Sequence, residues 1–427
     1  MTAPGVRPTV AVVGAGIAGL TAAYVLQRSH DVTLFEAEPR LGGHAHTHDV
    51  LTPDGRFLPV DSGFIVHNDR TYPNLVRLFG ELGVETRPTD MSMSVRCDGC
   101  GLEYAGARGA AGLFPRWRNA ADPRYVAMLA EVSRFHRRAR ALLATPEQDP
   151  AAPVTLGDFL RDGRYSRYFT GHFMVPLVSC VWSCAPRTAL LYPARSLFTF
   201  LAHHGALSVS GSPSWRTVVG GSRSYVERAA KELTATELST PVRSVTRDAA
   251  GVEVRADDDT AHHFDSAVVA THADQALALL GAPTDDERRL LGAFTVSTNE
   301  TLLHTDPALL PRSPRARASW NYLLDTCDSE AGDVRVSYHL NRLHRLDEPV
   351  DYVVTLNAAG RVAEADVIAR MTYRHPVYTA AAVVAQASLP ALNRDGLAFA
   401  GAWQGWGFHE DGCASGVRAA ESLGGTW

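Results

Sequence analysis

A short apolar run, Val10 to Val13, passes directly into Gly14-Ala15-Gly16-Ile17-Ala18-Gly19. Leu20 to Gln27 then reads as a helix, and Val32-Thr33-Leu34-Phe35 as a second strand ending at Glu36. This order of strand, glycine turn, helix, strand and acid constrains the fold more than any other feature. A continuous apolar strand is one buried on both faces of a parallel sheet. Gly14 allows a tight turn, Gly16 lets backbone approach a pyrophosphate, and Gly19 lets helix and strand pack closely. Ala15, Ile17 and Ala18 complete the turn, and the helix start offers unpaired N–H groups to phosphate. Glu36 suits ribose hydroxyls and would repel a 2′-phosphate, which disfavours NADP. The expected class is α/β with a Rossmann-type nucleotide-binding unit.

The 427 residues suggest two to three folding units at about 150 residues each. A net charge of −5 argues against a nucleic-acid partner. No run is long and apolar enough to span a bilayer, and the apolar N-terminal stretch is studded with glycines, unlike a secretory signal. Six cysteines in a chain this long do not make a disulfide scaffold, so a reduced, cytoplasmic protein is expected, with peripheral membrane attachment as an option. Cys97 and Cys100 form a CxxC with no second pair at zinc-ribbon spacing, and Cys180 and Cys184 a CxxxC. Both read as free thiols, and no metal site is expected. Lys231 is the only lysine among 41 basic residues, so lysine-dependent chemistry has one candidate.

Beyond Glu36, Ala37-Glu38-Pro39-Arg40-Leu41-Gly42-Gly43-His44 places an arginine and a glycine pair after the ribose acid. Here the chain resembles the flavin-containing amine oxidoreductase superfamily, which includes monoamine oxidases and phytoene desaturases. The resemblance implies non-covalent FAD, with Arg40, Gly42, Gly43 and His44 at its phosphates and ribityl chain and Gly63-Phe64 near the flavin. It also matches Val242 to the strand that contacts adenine, and Gly401-Ala402 to the closing turn, where many members have Gly-Glu. Asp411, Gly412 and Cys413 fall at the start of a helix directed at the flavin ring, with His409 just before it. The implied architecture is a Rossmann-type FAD-binding domain (GR2-like) from residues 1–75, 211–284 and 386–427. It is interleaved with a mixed α+β substrate domain from 76–210 and 285–385.

Arg40 to His44, Val60 to Val66, Arg70 to Asn74, Gly220 to Val226 and Gly407 to Gly412 together resemble a bacterial subgroup. Its members accompany cyclopropane-fatty-acyl synthases, and a relative in furan fatty-acid synthesis is a desaturase. The resemblance implies hydride removal from an apolar lipid or fatty-acyl substrate. Oxygen, a quinone or a protein would be the electron acceptor, and a lipid methyltransferase a partner. The alternatives are a flavin-dependent double-bond isomerase, an amine oxidase and a non-catalytic accessory. Many amine oxidases hold a water near the flavin with a lysine. Lys231 sits in a surface-helix pattern, which argues against that chemistry.

The resemblance places Trp215, Trp320, Tyr322, Trp403 and Trp406 in segments near the flavin or the substrate chamber, where aromatic walls would suit a long apolar substrate. His409, His67, Asn321 and Tyr338 are the candidate proton acceptors or orienting donors, His409 first among them. His44, His46 and His48 alternate, so a strand would put them on one face. Tyr125, Met128, Leu129, Val132, Phe135, Ala139 and Leu142 predict a helix whose arginines, Arg134, Arg137, Arg138 and Arg140, form either a solvated back or a lipid-facing patch. Val334 to Leu340 and Tyr352 to Leu356 predict an antiparallel sheet, and 147–153 a surface loop.

Overall fold

The N-terminal apolar run is buried because it is the middle of a parallel sheet. In the computed structural model, which describes residues 7–146, 149, 152–208, 211–328, 332–358 and 360–427, β1 (Thr9–Val13) lies between β2 (Asp31–Phe35) and the strand Ser266–Val269. Ala235–Glu237 extends the sheet past β2, and Leu397–Phe399 extends it on the other side, all in parallel. Four separated stretches of chain therefore build one sheet. α1 (Ile17–Leu26) begins three residues before the position read from the sequence, because Gly16 caps it with extended backbone. It is buried nearly all round, with the sheet on one side and the closing helix His409–Ser422 on the other. His409 is thus the first residue of that helix, not the residue before it.

A seven-stranded sheet forms the second layer. Its order is Val367–Val377, Thr295–His304, Val353–Leu356, Val336–His339, Trp320–Leu324, Met93–Cys97 and Glu103–Ala105. All pairs are antiparallel except Trp320–Leu324 with Met93–Cys97. Side chains alternate faces along a strand, so Trp320 and Tyr322 point one way and Asn321 the other. The aromatic face packs on helices that include Pro123–Ala144 and Ala194–His203. In Pro123–Ala144, Arg134 donates to the carbonyls of Gly163 and Arg164 and Arg138 lies over Phe159, so two of the four arginines serve internal packing. Arg137 and Arg140 stay exposed. Of the 147–153 loop only Asp149, Ala152 and Pro153 fall among the described residues, and Met1 to Val6 lie outside them. No helix among the described residues is long and apolar enough to cross a membrane.

Candidate functional site

The glycine turn is shaped by close contacts on two sides and open space on a third. Gly14 has a φ of +100°, and a Cβ there would stand 2.9 Å from the Ala270 carbonyl oxygen. At Gly19 a Cβ would meet the Gly14 oxygen at 1.9 Å, whereas at Gly16 nothing lies within 4 Å. Glu36 accepts the Ala15 N–H at 2.8 Å and the Glu38 N–H at 2.9 Å, which fixes its carboxylate beside the turn; Ala37 between them is exposed. Gly42 donates to the Ala15 carbonyl at 2.8 Å, and Gly43, with φ +56°, would bring a Cβ to 3.2 Å from Gly16. Arg40 donates to the Gly43 carbonyl at 2.9 Å. Thr240, two residues before Val242, donates to Glu36 at 2.9 Å, so that strand starts beside the ribose acid. An open backbone edge with a fixed carboxylate next to it fits the phosphates and ribose of FAD.

Gly63 crosses the chain at His44, and the Phe64 N–H donates to the His44 carbonyl at 2.7 Å. Phe64 stacks on His409 at 3.7 Å, and the His409 Nε2 lies 3.0 Å from the Tyr225 hydroxyl. Burial pushes the His409 pKa down to about 3 and that of His67 down to about 4. The His67 Nδ1 and His44 Nε2 are buried without a partner. The three alternating histidines do not lie on one strand, which begins only at Thr47; His46 and His48 stack at 4.0 Å, and Tyr373 meets both the His44 ring at 4.9 Å and the His46 Nδ1 at 3.2 Å.

A cavity of about 520 Å³ opens at the start of the closing helix, lined by Tyr72, Phe200, His204, Trp406, Phe408 and Asp411 among others. Trp406 lines it, and Trp215 adjoins it by stacking on His204 at 6.0 Å. Trp320 meets Tyr338 edge-on at 5.5 Å, and Tyr322 is buried on the same sheet face against the helical layer. Asn321 and Trp403 stand apart. Asn321 is consumed by Ser94, the Ala318 backbone and the Ser337 carbonyl, inside the opposite face of the sheet. Trp403 is core: it packs on Phe294 and donates to the Thr271 carbonyl at 3.0 Å.

Gly401 donates to the Ser415 hydroxyl at 2.9 Å, and the Ala402 carbonyl takes the Gly407 N–H at 3.1 Å. Gly412 meets α1 at Ile17, and the Cys413 thiol faces Thr21 at 3.5 Å, so that side chain serves helix packing. Asp411 accepts the Phe408 N–H at 2.9 Å, and burial raises its pKa to about 6. Glu410 accepts from Asn74 and Leu75 and ties the closing helix to the helix Pro73–Glu81. Tyr72 and Phe408 lie within the Arg70–Asn74 and Gly407–Gly412 motifs without a role of their own, and Phe200 and His204 carried no signal, since each looks like an ordinary core aromatic. Lys231 ends the helix Arg223–Ala230 and is exposed.

The Cys97–Cys100 turn is more than a loop with two thiols. His172 and Cys327 join it from distant parts of the chain.

The profile of the flavin-containing amine oxidoreductase family matches residues 17–306. Over 262 residues the chain is 31% identical to a Mycobacterium tuberculosis protein named as flavin-containing monoamine oxidase AofH, covering 58% of this chain and 53% of that one. The chain thus spans about half the length of that relative. Cyclohexylamine oxidase from Brevibacterium oxydans has a similar fold, with a TM-score of 0.69, 18% identity and 98% of each chain covered. A fatty acid isomerase from P. acnes that produces CLA aligns with a TM-score of 0.65 and 17% identity, over 97% of this chain and 98% of that one.

Proposed function

We propose that the chain, which belongs to the flavin-containing amine oxidoreductase family, is an FAD-dependent oxidoreductase that removes hydride from an apolar, lipid-like or fatty-acyl substrate. The observation that carries this reading is the aromatic cavity at the start of the closing helix, with Tyr72, Phe200, Trp406 and Phe408 in its lining. Aromatic walls shed water around an alkyl chain. Bound FAD supplies the hydride-accepting chemistry. Gly14, Gly16, Gly42 and Gly43 would admit its phosphates, and Glu36 would hold the ribose. Trp320, Tyr322 and Tyr338 would extend the apolar wall.

The proton needs a base whose pKa lies near the working pH. His409 and His67, pushed down to about 3 and 4, stay neutral and hold a proton weakly. Asp411 lines the cavity with its pKa raised to about 6, and is the better acceptor. His409 is then a positioning residue, stacked on Phe64 and held by Tyr225.

Anaerobic mixing of the flavin-loaded protein with a fatty-acyl thioester tests this. Bleaching of the flavin and a product lighter by two hydrogens are expected. An isobaric product would instead mean isomerisation, and neither change would favour an accessory role beside a lipid methyltransferase. Oxygen, a quinone and a protein carrier are the acceptors to compare in reoxidation. Amine oxidation is the second reading, favoured by the similarity to AofH; peroxide release with a primary amine and none with the thioester would establish it.

A further inference from the structure

We infer that Cys97, Cys100, His172 and Cys327 bind a single zinc ion that clasps the sheet edge to the helical layer. Their ligand atoms all lie within 4.8 Å of one another. In a tetrahedral site with Zn–S near 2.3 Å and Zn–N near 2.0–2.1 Å, two sulfurs stand about 3.8 Å apart and sulfur and nitrogen about 3.6 Å. The Cys97 and Cys327 sulfurs are 3.8 Å apart, and the Cys100 sulfur is 3.6 Å from the His172 Nε2. Both edges match.

The backbone is built to bring these four together. Met93–Cys97 and Trp320–Leu324 pair in parallel with Cys97 opposite Leu324, so the chain leaves both strands at one end of the sheet. The Asp98 N–H donates to the Leu324 carbonyl at 2.8 Å. Gly99 lets the turn lie flat on the other segment, since a Cβ there would be 2.9 Å from the Cys327 nitrogen. Gly101, at φ +74°, closes the turn through its N–H to the Cys97 carbonyl at 2.9 Å.

His172 comes from Thr170–Met174, a single widened turn of π-helix, the kind of irregularity that gathers at functional sites. Its Nδ1 faces the Tyr168 carbonyl at 3.2 Å. A carbonyl only accepts, so Nδ1 carries the proton and Nε2 keeps its lone pair for a metal. This partner of the ligand, the carbonyl that orients a ligating histidine, is the usual one. The His172 ring also stacks on Tyr168 at 4.0 Å, and the Arg124 guanidinium lies 5.2 Å over that tyrosine.

Three thiolates and a neutral imidazole complete the coordination, so the site is closed and structural, without a position for substrate. Binding Zn²⁺ releases the three thiol protons and changes no oxidation state, and the complex carries one net negative charge.

Elemental analysis of the flavin-loaded protein, expressed with zinc and purified under reductant, should find about one zinc per chain. Cobalt substitution should give the visible bands of a tetrahedral thiolate site. Cys327→Ser should lose most of the metal, His172→Cys should retain it with four thiolates, and Cys180→Ser, outside the cluster, should leave it unchanged. Chelation should lower Tm in the wild type and leave Cys327→Ser unmoved. Flavin-loaded wild type with less than about a tenth of an equivalent of zinc would overturn the assignment. So would a Cys97–Cys327 disulfide found by peptide mapping, or full zinc in Cys327→Ser.

Discussion

Gly16 and Gly19 meet the same substitution differently. At Gly19 an added methyl collides with the Gly14 carbonyl oxygen at 1.9 Å, so Gly19→Ala should destabilise the flavin-free protein by about 1–3 kcal/mol. At Gly16 the methyl enters open space, and the φ of −70° suits alanine. Gly16→Ala should leave the flavin-free protein within about 0.5 kcal/mol of wild type yet weaken FAD binding at least tenfold, because the methyl occupies the approach of the phosphates. Denaturation of the flavin-free chains and a flavin titration separate the two effects. Equal loss of stability in both variants would contradict the assignment of Gly16 to the cofactor face. Lys231→Ala should leave flavin reduction unchanged, since that side chain is exposed at a helix end; a lost rate would revive a lysine-dependent mechanism. These single residues were legible in the sequence because their roles depend on neighbours a few positions away. Asn321 and Trp403 were misread because their roles depend on which face of a strand or turn they occupy.

The closing helix shows what element-level patterns can and cannot carry. Its small residues were visible as a helix, and the structure explains them: at Gly416 a Cβ would lie 2.3 Å from the Ala18 carbonyl oxygen, so the helix must seat directly on α1. The first turn is where the chemistry concentrates. Asp411 has its pKa raised from 3.8 to about 6, chiefly by burial. A raised carboxyl is a stabilising contribution only while protonated: it is full below about 3.8 and is lost as pH rises through about 6. Asp411→Asn keeps an oxygen for the Phe408 N–H but never ionises. Its Tm should therefore exceed wild type at pH 8, with the gap closing towards pH 4. If Asp411 is the proton acceptor, the rate of flavin reduction in this variant should fall by about 10²–10⁴-fold and the titration near pH 6 should vanish from its profile. A retained limb near pH 6 would return the role to another group. The cavity that Asp411 lines was hidden at this scale, because Phe200 and His204 reach it from a helix whose pattern reads only as core.

At the scale of the whole chain, contacts distant in sequence decide what is legible. The parallel sheet was readable where its strands carry apolar runs, at residues 9, 31, 266 and 397 onward, but not at Ala235–Glu237, which has no such run. The Cys97, Cys100, His172 and Cys327 cluster was not, because three of its elements lie far apart in sequence and only one supplies a recognisable pair. Buried histidines give the molecule a collective property of the same kind. Burial lowers His46 and His409 to about 3, His67, His304 and His375 to about 4, and His44 well below its ordinary value of 6.5. In the unfolded chain each would titrate near 6.5, so between there and the folded values the unfolded state binds more protons. Stability is then complete above about 6.5 and falls as pH drops through that window. Asp411 and Glu410, both raised by burial, work in the opposite direction, but they are two groups against six. The flavin-free protein should lose Tm progressively from pH 7 to pH 5, with unfolding taking up several protons. Thermal unfolding in buffers of different ionisation enthalpy measures that uptake directly. A Tm that stays level across this range would mean that these histidines are hydrated in solution and that the packing around His44, His67 and His409 is looser than the structure shows.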